Sequence, residues 1–518
     1  MPDVVGELIV ASVVATGEGA AFAGAAEATY LGVSGITIIG SAAIIGASIG
    51  LQYALYKAPA IPNPGDGSVA LKQAIPSRIK GYGYNRLAGY YMLFEANGSA
   101  PATSYDVLAL HSGRVDSFQQ FYLNDDNVST SADISHGGNS IITAAFSDDR
   151  YNGGALKIET ALGAASQTAA TIMTSDPVIS PWWTTAHRGD GVAWVALVCG
   201  GPSDPSVFSR TFPKGHPELS ALVACSPIWD PRDPAQSRTN PATWIFQRNP
   251  VLHLIDYLIS TDGGMGLDFD TILPPAVLAQ WMVEANLCDA AVSRADGSTE
   301  QRYACDGWFR YDNNPEDVIN SILSTCDGWL AENGDGSLAL TIGHYRAPTD
   351  PPITAQHIMG FSLHYGQADE QLINVLHVSF TDPNQKYVEV DLGDIRDEDA
   401  ISLTGVERIK PLSIPWVQSF SQAGRLGYRA IQRVNPKLSG TFTTTLYGLR
   451  YLGKRWVPLQ YPDIAGLEDC IVEIQGAEVD LLHGRVVFTF ALVDTTTIES
   501  YNPTTDELPA PVAPTLII

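Results

Sequence analysis

The stretch YACDGWFRYDNNPEDVINSILSTCDGWLAENGDGSLALTIGHYRAP, residues 303–348, changes its hydrophobic period part-way along. Asn314-Pro315 supplies an N-cap and a first-turn proline, and Glu316 and Asp317 place acids at the positive end of the helix dipole. Val318, Ile319, Ile322, Leu323, Cys326 and Leu330 then follow at helical spacing. Asn333-Gly334-Asp335-Gly336 reads as a turn, and residues 337–342 (SLALTI) read as a strand beyond it. The stretch predicts a helix running to about residue 330 and packed with strands, an α+β unit inside a longer chain.

Upstream, the helical tract begins at Asn249-Pro250, with Val251, Leu252, Ile255, Leu258 and Ile259 on one face, and a second helix is expected over residues 275–287. Before it, residues 75–245 read as β-rich. Short apolar runs at 90–94, 106–110 and 193–198 are bounded by Gly, Asn, Asp or Pro. Downstream, strands are expected at 375–380, 387–390, 441–446, 471–474 and 486–492, with one helix over 415–434 between them. The tail from 503 to 518 is Pro-rich and expected to be extended. The resulting division is an apolar segment (1–57), a Pro/Gly-rich linker (58–74), β-rich domains (75–245), an α/β insertion (246–350), a β-barrel domain with one basic helix (351–502), and the tail.

Composition excludes several classes. The 518 residues carry 30 Lys+Arg against 56 Asp+Glu, a formal charge of −26, which disfavours general nucleic-acid binding and attraction to an anionic membrane. With 47 Gly and 33 Pro the chain is rich in turns and is no long helical bundle. The cysteines, at 199, 225, 288, 305, 326 and 470, form no C-x-x-C pair and are too sparse for a disulfide scaffold, so reduced, buried thiols are expected. The ten histidines form no H-x-x-x-H or H-E-x-x-H arrangement, and neither a G-x-S-x-G elbow nor a phosphate loop occurs. Asp125-Asp126, Asp148-Asp149 and the acids from Asp394 to Asp399 lack the glycine and bidentate glutamate that frame a calcium loop, and read as solvated turns. No catalytic residue, metal or cofactor is assigned.

Two features point instead to assembly. Residues 28–56 (ATYLGVSGITIIGSAAIIGASIGLQYALY) contain no charge, and Ala42, Gly46 and Gly50 put small side chains on one face of a helix, the spacing that lets helices approach closely. The preceding flank is acidic, unlike a signal peptide. The run fits a membrane anchor, a segment packed within an assembly, or one stored there and later placed in a target membrane; each needs a partner. The second feature is charge patterning. From Arg408 to Arg455 there are nine basic residues and no acid, and Arg425, Arg429 and Arg433 fall one turn apart on the expected helix. Just upstream, residues 382–399 hold seven acids and two bases. The stripe reads as a solvated face paired within the chain or as a charge-complementary contact between subunits, with DNA contact the lesser alternative given the acidic whole.

Several segments, in order, resemble the tail-tip hub proteins of long-tailed, siphovirus-type bacteriophages, the family of the lambda tip attachment protein J and its relatives. They are SRIKGYGYNRLAGYYMLFEANG with DVLALHSGRVDSFQQFYLNDD; ACSPIWDPRDPAQ with WIFQRNPVLHLIDYLIST and GMGLD; the stretch quoted at the outset; and INVLHVSFTDPNQKYVEVD with DEDAI and RLGYRAIQRVNPK. Together they span roughly residues 75–500. The resemblance implies a mainly β, multi-domain hub of β-barrel or sandwich domains with an α+β insertion, to which this chain adds the N-terminal apolar helix. It further implies a homotrimer at the virion tail tip, made in the host cytoplasm. Its implied partners are a distal tail protein ring, a tape-measure protein and tail fibre proteins, with the host outer membrane met during ejection. Lambda-type proteins continue into fibre regions whereas this sequence stops at Ile518, so receptor recognition is expected to fall to other proteins. The alternatives of another class are an envelope carbohydrate-binding or carbohydrate-degrading module, for which Trp182-Trp183 would supply stacking, and a membrane-anchored surface protein.

Overall fold

The computed structural model describes residues 67, 70–72 and 76–513, apart from 99–102, 144–145, 152–154, 203 and 367–371. Ala42, Gly46 and Gly50, and with them the apolar run, lie outside the described residues. The mainly β fold expected from the sequence is the fold observed.

Nine antiparallel strands form the first sheet. In spatial order they are Tyr84–Leu87, Leu219–Ala224, Ser117–Leu123, Asp126–Thr130, Gly138–Thr143, Ala155–Leu162, Val192–Gly200, Thr103–Ser112 and Tyr90–Asn97. The two outermost strands are consecutive in the chain, separated by Ala88 and Gly89 alone, so the sheet must curl until its edges meet. Gly89 makes that corner with φ +66°, and a Cβ there would lie 1.9 Å from the Ala109 carbonyl oxygen. The uninterrupted apolar run at 193–198 has a packing cause. Val195 and Leu197 point into the curled core with Leu108, Leu156 and Ile158, while Trp194, Ala196 and Val198 are covered on the other face by Ala170, Met173, Ile179 and Trp183.

A second curled sheet has the same closure. Its order is Ile353–Thr354, Trp456–Gln460, Cys470–Asp480, Arg485–Leu492, Leu438–Thr445 and Ile358–Tyr365, and the first and last strands are joined by the single 3-10 turn Ala355–His357. Phe442, Phe488 and Phe490 fill its interior.

Between the curled sheets lies an α/β core. Helices α1 (Pro250–Ile259), α2 (Pro275–Asp289) and α3 (Pro315–Ser324) share one apolar cluster with the mixed sheet Val388–Arg396, Val375–Asp382, Ile409–Ile414 and the helix behind it, α4 (Phe420–Val434). The boundary expected at residue 350 therefore cuts through one core. After the strands Ile353–Thr354 and Ile358–Tyr365 the chain leaves the second curled sheet, residues 375–434 pack with the 246–350 helices, and the chain then returns to that sheet. The close fit of α4 explains this: a Cβ on Gly427 would come within 2.5 Å of Ile395 and 2.9 Å of Val378. A two-stranded pairing, Ile79–Tyr82 with Gly307–Arg310, stitches the first sheet to the core. On that strand Trp308 belongs to the first sheet's cluster and its neighbour Phe309 to the central one.

Two expectations shift at the element scale. Helix α3 ends at Ser324, not near 330, and Leu330 lies on the strand Trp329–Glu332. The Asn333–Gly336 turn thus joins two strands, Trp329–Glu332 and Leu338–Thr341. The tail begins with one helical turn, Pro503–Asp506, and residues 507–513 follow without regular structure.

Candidate functional site: a buried arginine–carboxylate junction

The basic stripe of α4 faces inward. Ser419 caps the helix by accepting from the Gln422 amide, and the apolar side of the helix, with Ala423, Leu426, Ala430 and Ile431, packs on the mixed sheet. Arg429 and Arg433 project toward the junction with the second curled sheet and Arg425 toward the strand that holds Glu300, and the three side chains retain 6%, 12% and 11% exposure.

Each turn of the stripe meets a different part of the chain. Arg425 donates from Nη1 to Glu300 Oε1 at 2.6 Å and from Nη2 to the Arg302 carbonyl at 2.8 Å. Arg429 donates from Nε to Asp327 Oδ2 at 3.1 Å and from Nη1 to Glu499 Oε1 at 2.6 Å. Arg433 donates to Asp327 Oδ1 at 2.9 Å and, from Nη2, to Glu473 Oε1 at 2.6 Å. Arg455, fully enclosed, completes the set. It donates to Glu473 Oε1 at 2.7 Å, to Asp327 Oδ2 at 3.0 Å, and to the Asp327 carbonyl at 2.8 Å.

Arg429, Arg433 and Arg455 are thereby matched by Asp327, Glu473 and Glu499. Asp327 is the hub of the network, and the local backbone is what delivers it. After α3 the chain turns left-handed at Asp327, with φ +46°, a conformation aspartate tolerates better than most residues. Burial alone would raise its pKa, but the guanidiniums of Arg433, Arg455 and Arg429 outweigh that and hold it well below the ordinary carboxylate range. Glu473 is likewise lowered: burial opposes ionisation, and Arg433 and Arg455 restore it. For Glu499, burial is overcome by a hydrogen bond from His344 and by Arg429, bringing it to about 2.

Of the readings of the stripe, the geometry displays pairing within the chain, and in a buried setting where a solvated one was expected. A contact to another subunit through these three side chains would have to break that pairing. Sequence reasoning missed Glu300, Asp327, Glu473 and Glu499, which come from four separate places. The signal that existed was the lack of any acid from 408 to 455, which obliges basic residues there to find partners elsewhere.

The other sequence candidates disperse. Asp125 pairs with Arg86 at 2.6 Å, and Asp126 accepts from Tyr151 at 3.0 Å. Asp148 pairs with Arg150, Asp394 with His377, and Asp397 caps the helix Glu398–Thr404. Among the described residues, no group of three His, Cys, Asp or Glu gathers to hold a metal ion. The tryptophan pair splits: Trp183 is buried and stacked on His187, while Trp182 is 73% exposed. All six cysteines are unpaired, five of them buried. Burial pushes the Cys225 and Cys470 thiols up to about 12, so neither is a ready nucleophile. No described helix is long and apolar enough to cross a membrane.

No family model and no curated protein matches the chain. Solved structures do. A chain of the virion of a native gene transfer agent particle superposes with a TM-score of 0.52 at 11% identity, over 87% of this chain and 93% of that one. The 43 kDa tail protein of prophage MuSo2 from Shewanella oneidensis aligns over 79% of this chain and 91% of its own at 11% identity, with a TM-score of 0.27. A tail protein from Neisseria meningitidis MC58 aligns over 77% and 98% at 12% identity, also with a TM-score of 0.27. At such identities the likeness carries the fold alone, and it rests on the gene transfer agent chain. These neighbours are virion and tail proteins.

Proposed function

We propose that this chain is a structural subunit of a bacteriophage-type tail. In this reading it is the hub at the distal end, where three copies close the tube. The hub joins the distal tail protein ring above it, the tape-measure protein in the lumen and fibre proteins outside, and it opens to release DNA into the host. The observation that carries the reading is the architecture: two self-closing curled sheets flank one α/β core, in a fold shared along nearly its whole length with a virion chain. Two such sheets per subunit give a threefold ring six similar units, which suits a junction with a sixfold tube. The buried junction supports this reading through rigidity, because opposed charges matched across α4 fix how the core meets the second sheet.

The apolar run at 28–56 is assigned the lumenal plug, with Ala42, Gly46 and Gly50 packing three copies together and the segment passing into the host envelope during ejection. The net charge of −26 suits a passage through which DNA must slide without adhering. An amber mutation in the gene, in the particle that encodes it, tests the reading. Particles lacking completed tails, with the tagged wild-type chain labelled at the tail tip, are the expected result. Normal, infectious particles free of the chain would overturn it.

A further inference from the structure

At the end of the first curled sheet where the strand Thr103–Ser112 begins, three side chains outside the arginine junction form a chain of hydrogen bonds. Ser104 and Asp106 lie two residues apart on that strand and so stand on the same side of it. His216 reaches them from the loop between the helix Pro205–Thr211 and the strand Leu219–Ala224. Its Nε2 lies 2.7 Å from Asp106 Oδ2 and its Nδ1 3.1 Å from Ser104 Oγ. The Asp106 side chain is 2% exposed, that of His216 is 29% exposed, and Ser104 is half-buried.

Chemistry fixes which group donates. A carboxylate only accepts, so the proton of the neutral imidazole sits on Nε2 and faces Asp106. Nδ1 then turns its lone pair toward Ser104, and the serine hydroxyl donates to it. The result is a nucleophile held by a base, with the base oriented by a third group. The two ring nitrogens are exchanged relative to the usual protease arrangement, but such a set is recognised by geometry and roles.

The surroundings agree. Asp106 Oδ1 is buried with no partner among the described residues, so compensation of this carboxylate rests on His216. Phe94 pairs with Asp106 across neighbouring strands, and its ring meets that of His216 edge-on at 5.4 Å, which restrains the imidazole plane. Lys72 Nζ stands 3.1 Å over the same Phe94 ring and brings a cation to this side of the strand. The neighbouring thiol does not compete as nucleophile. Cys199 pairs with Ser104 in register, and burial and the Asp106 charge push its pKa well up.

We propose that Ser104 is the nucleophile of an ester-hydrolysing site, with His216 as general base and Asp106 as its positioning residue. A half-buried hydroxyl beside Phe94 admits a small acyl group, so the substrate class is an acetyl ester whose alcohol part stays in solvent. Ser104 Oγ attacks the carbonyl carbon as its proton passes to His216 Nδ1, and Lys72 supplies the charge that meets the carbonyl oxygen as it turns negative. The bond to the alcohol oxygen breaks, and Nδ1 gives that oxygen the proton. Water then attacks the acetyl carbon while giving a proton to Nδ1. The bond to Oγ breaks, acetic acid leaves, and Nδ1 returns the proton to Ser104. The site is complete within one subunit and does not rest on the hub reading.

The full-length chain is treated with diisopropyl fluorophosphate, which loses fluoride to a reactive serine, and separately with p-nitrophenyl acetate. A single diisopropylphosphoryl adduct on the peptide that carries Ser104, and steady release of p-nitrophenol, are expected. Ser104→Ala should abolish both with an unchanged circular dichroism spectrum, and His216→Gln should lower the hydrolysis rate by roughly 10²–10⁴-fold. Asp106→Asn should lower kcat with KM unchanged, because an amide can donate to Nε2 and move the imidazole proton onto Nδ1. A residue that only held the fold would not separate the two constants. A folded wild-type chain that gives neither adduct nor turnover would overturn the inference and leave the three residues as a tie for the loop at 212–218. Hydrolysis that survives Ser104→Ala, or an adduct on another residue, would overturn it as well. The hub reading is tested by native mass and stands or falls separately.

Discussion

Asp327 accepts hydrogen bonds from three arginines because the backbone turns left-handed at that residue and aims its carboxylate into the gap between α4 and the second sheet. A charge buried this completely is tolerable only while its partners remain, since removing one member of a buried set strands the others. Asp327→Asn should therefore destabilise the protein at neutral pH by roughly 3–5 kcal/mol, measured by urea unfolding. The pH dependence has a definite sign. The folded pKa of Asp327 lies below its ordinary 3.8, so its contribution is fully present above that value and is lost as pH falls through the folded one. Glu499, at about 2 in place of 4.5, acts in the same direction. Wild-type stability should thus fall steeply from about pH 5 toward pH 2, and Asp327→Asn should fall less steeply. Equal acid slopes for the two proteins would show that the network does not hold the junction together.

Elements were legible where periodicity and capping agree. α1 starts at its Asn249 cap, α2 spans the expected run, and α4 ends at Val434 as anticipated. The α4 start was misplaced because Pro415 resembles a first-turn proline, whereas Ser419 supplies the cap. α3 was read one turn too long for a comparable reason. Cys326 and Leu330 continue the apolar stripe, but Asp327 and Gly328 break the backbone between them, and Gly328 returns its amide to the Leu323 carbonyl at 2.8 Å. The barrel-like curling of the sheets was expected through the family resemblance and had no trace in the local hydrophobic pattern. It depends on which strands become edges, a long-range property, although its local requirement sits in plain view at Gly89. Gly89→Ala should cost more than about 1 kcal/mol, because alanine is strained at positive φ and its Cβ would strike the Ala109 carbonyl. Thermal unfolding checks this, and an unchanged Tm would mean that the sheet edges do not depend on that corner.

At the scale of the molecule, the charge pattern separates into an inside and an outside. Arg425, Arg429, Arg433 and Arg455 are consumed within the subunit, so the acidic excess is left to the surface and the stripe offers nothing to a phosphate backbone. The sequence showed the stripe without showing its depth, since hydrogen-bond partners 40 to 125 residues away in the chain leave no periodic trace. The proposed closed hub uses a subunit that is rigid internally, and the buried arginines supply that rigidity. The native mass of the purified full-length chain, with and without residues 1–57, tests this most directly. The account predicts three times the 55.5 kDa subunit mass for the full chain and a trimer again after truncation, with the threefold contacts in the body. A full-length chain that remains a monomer at every concentration would contradict it.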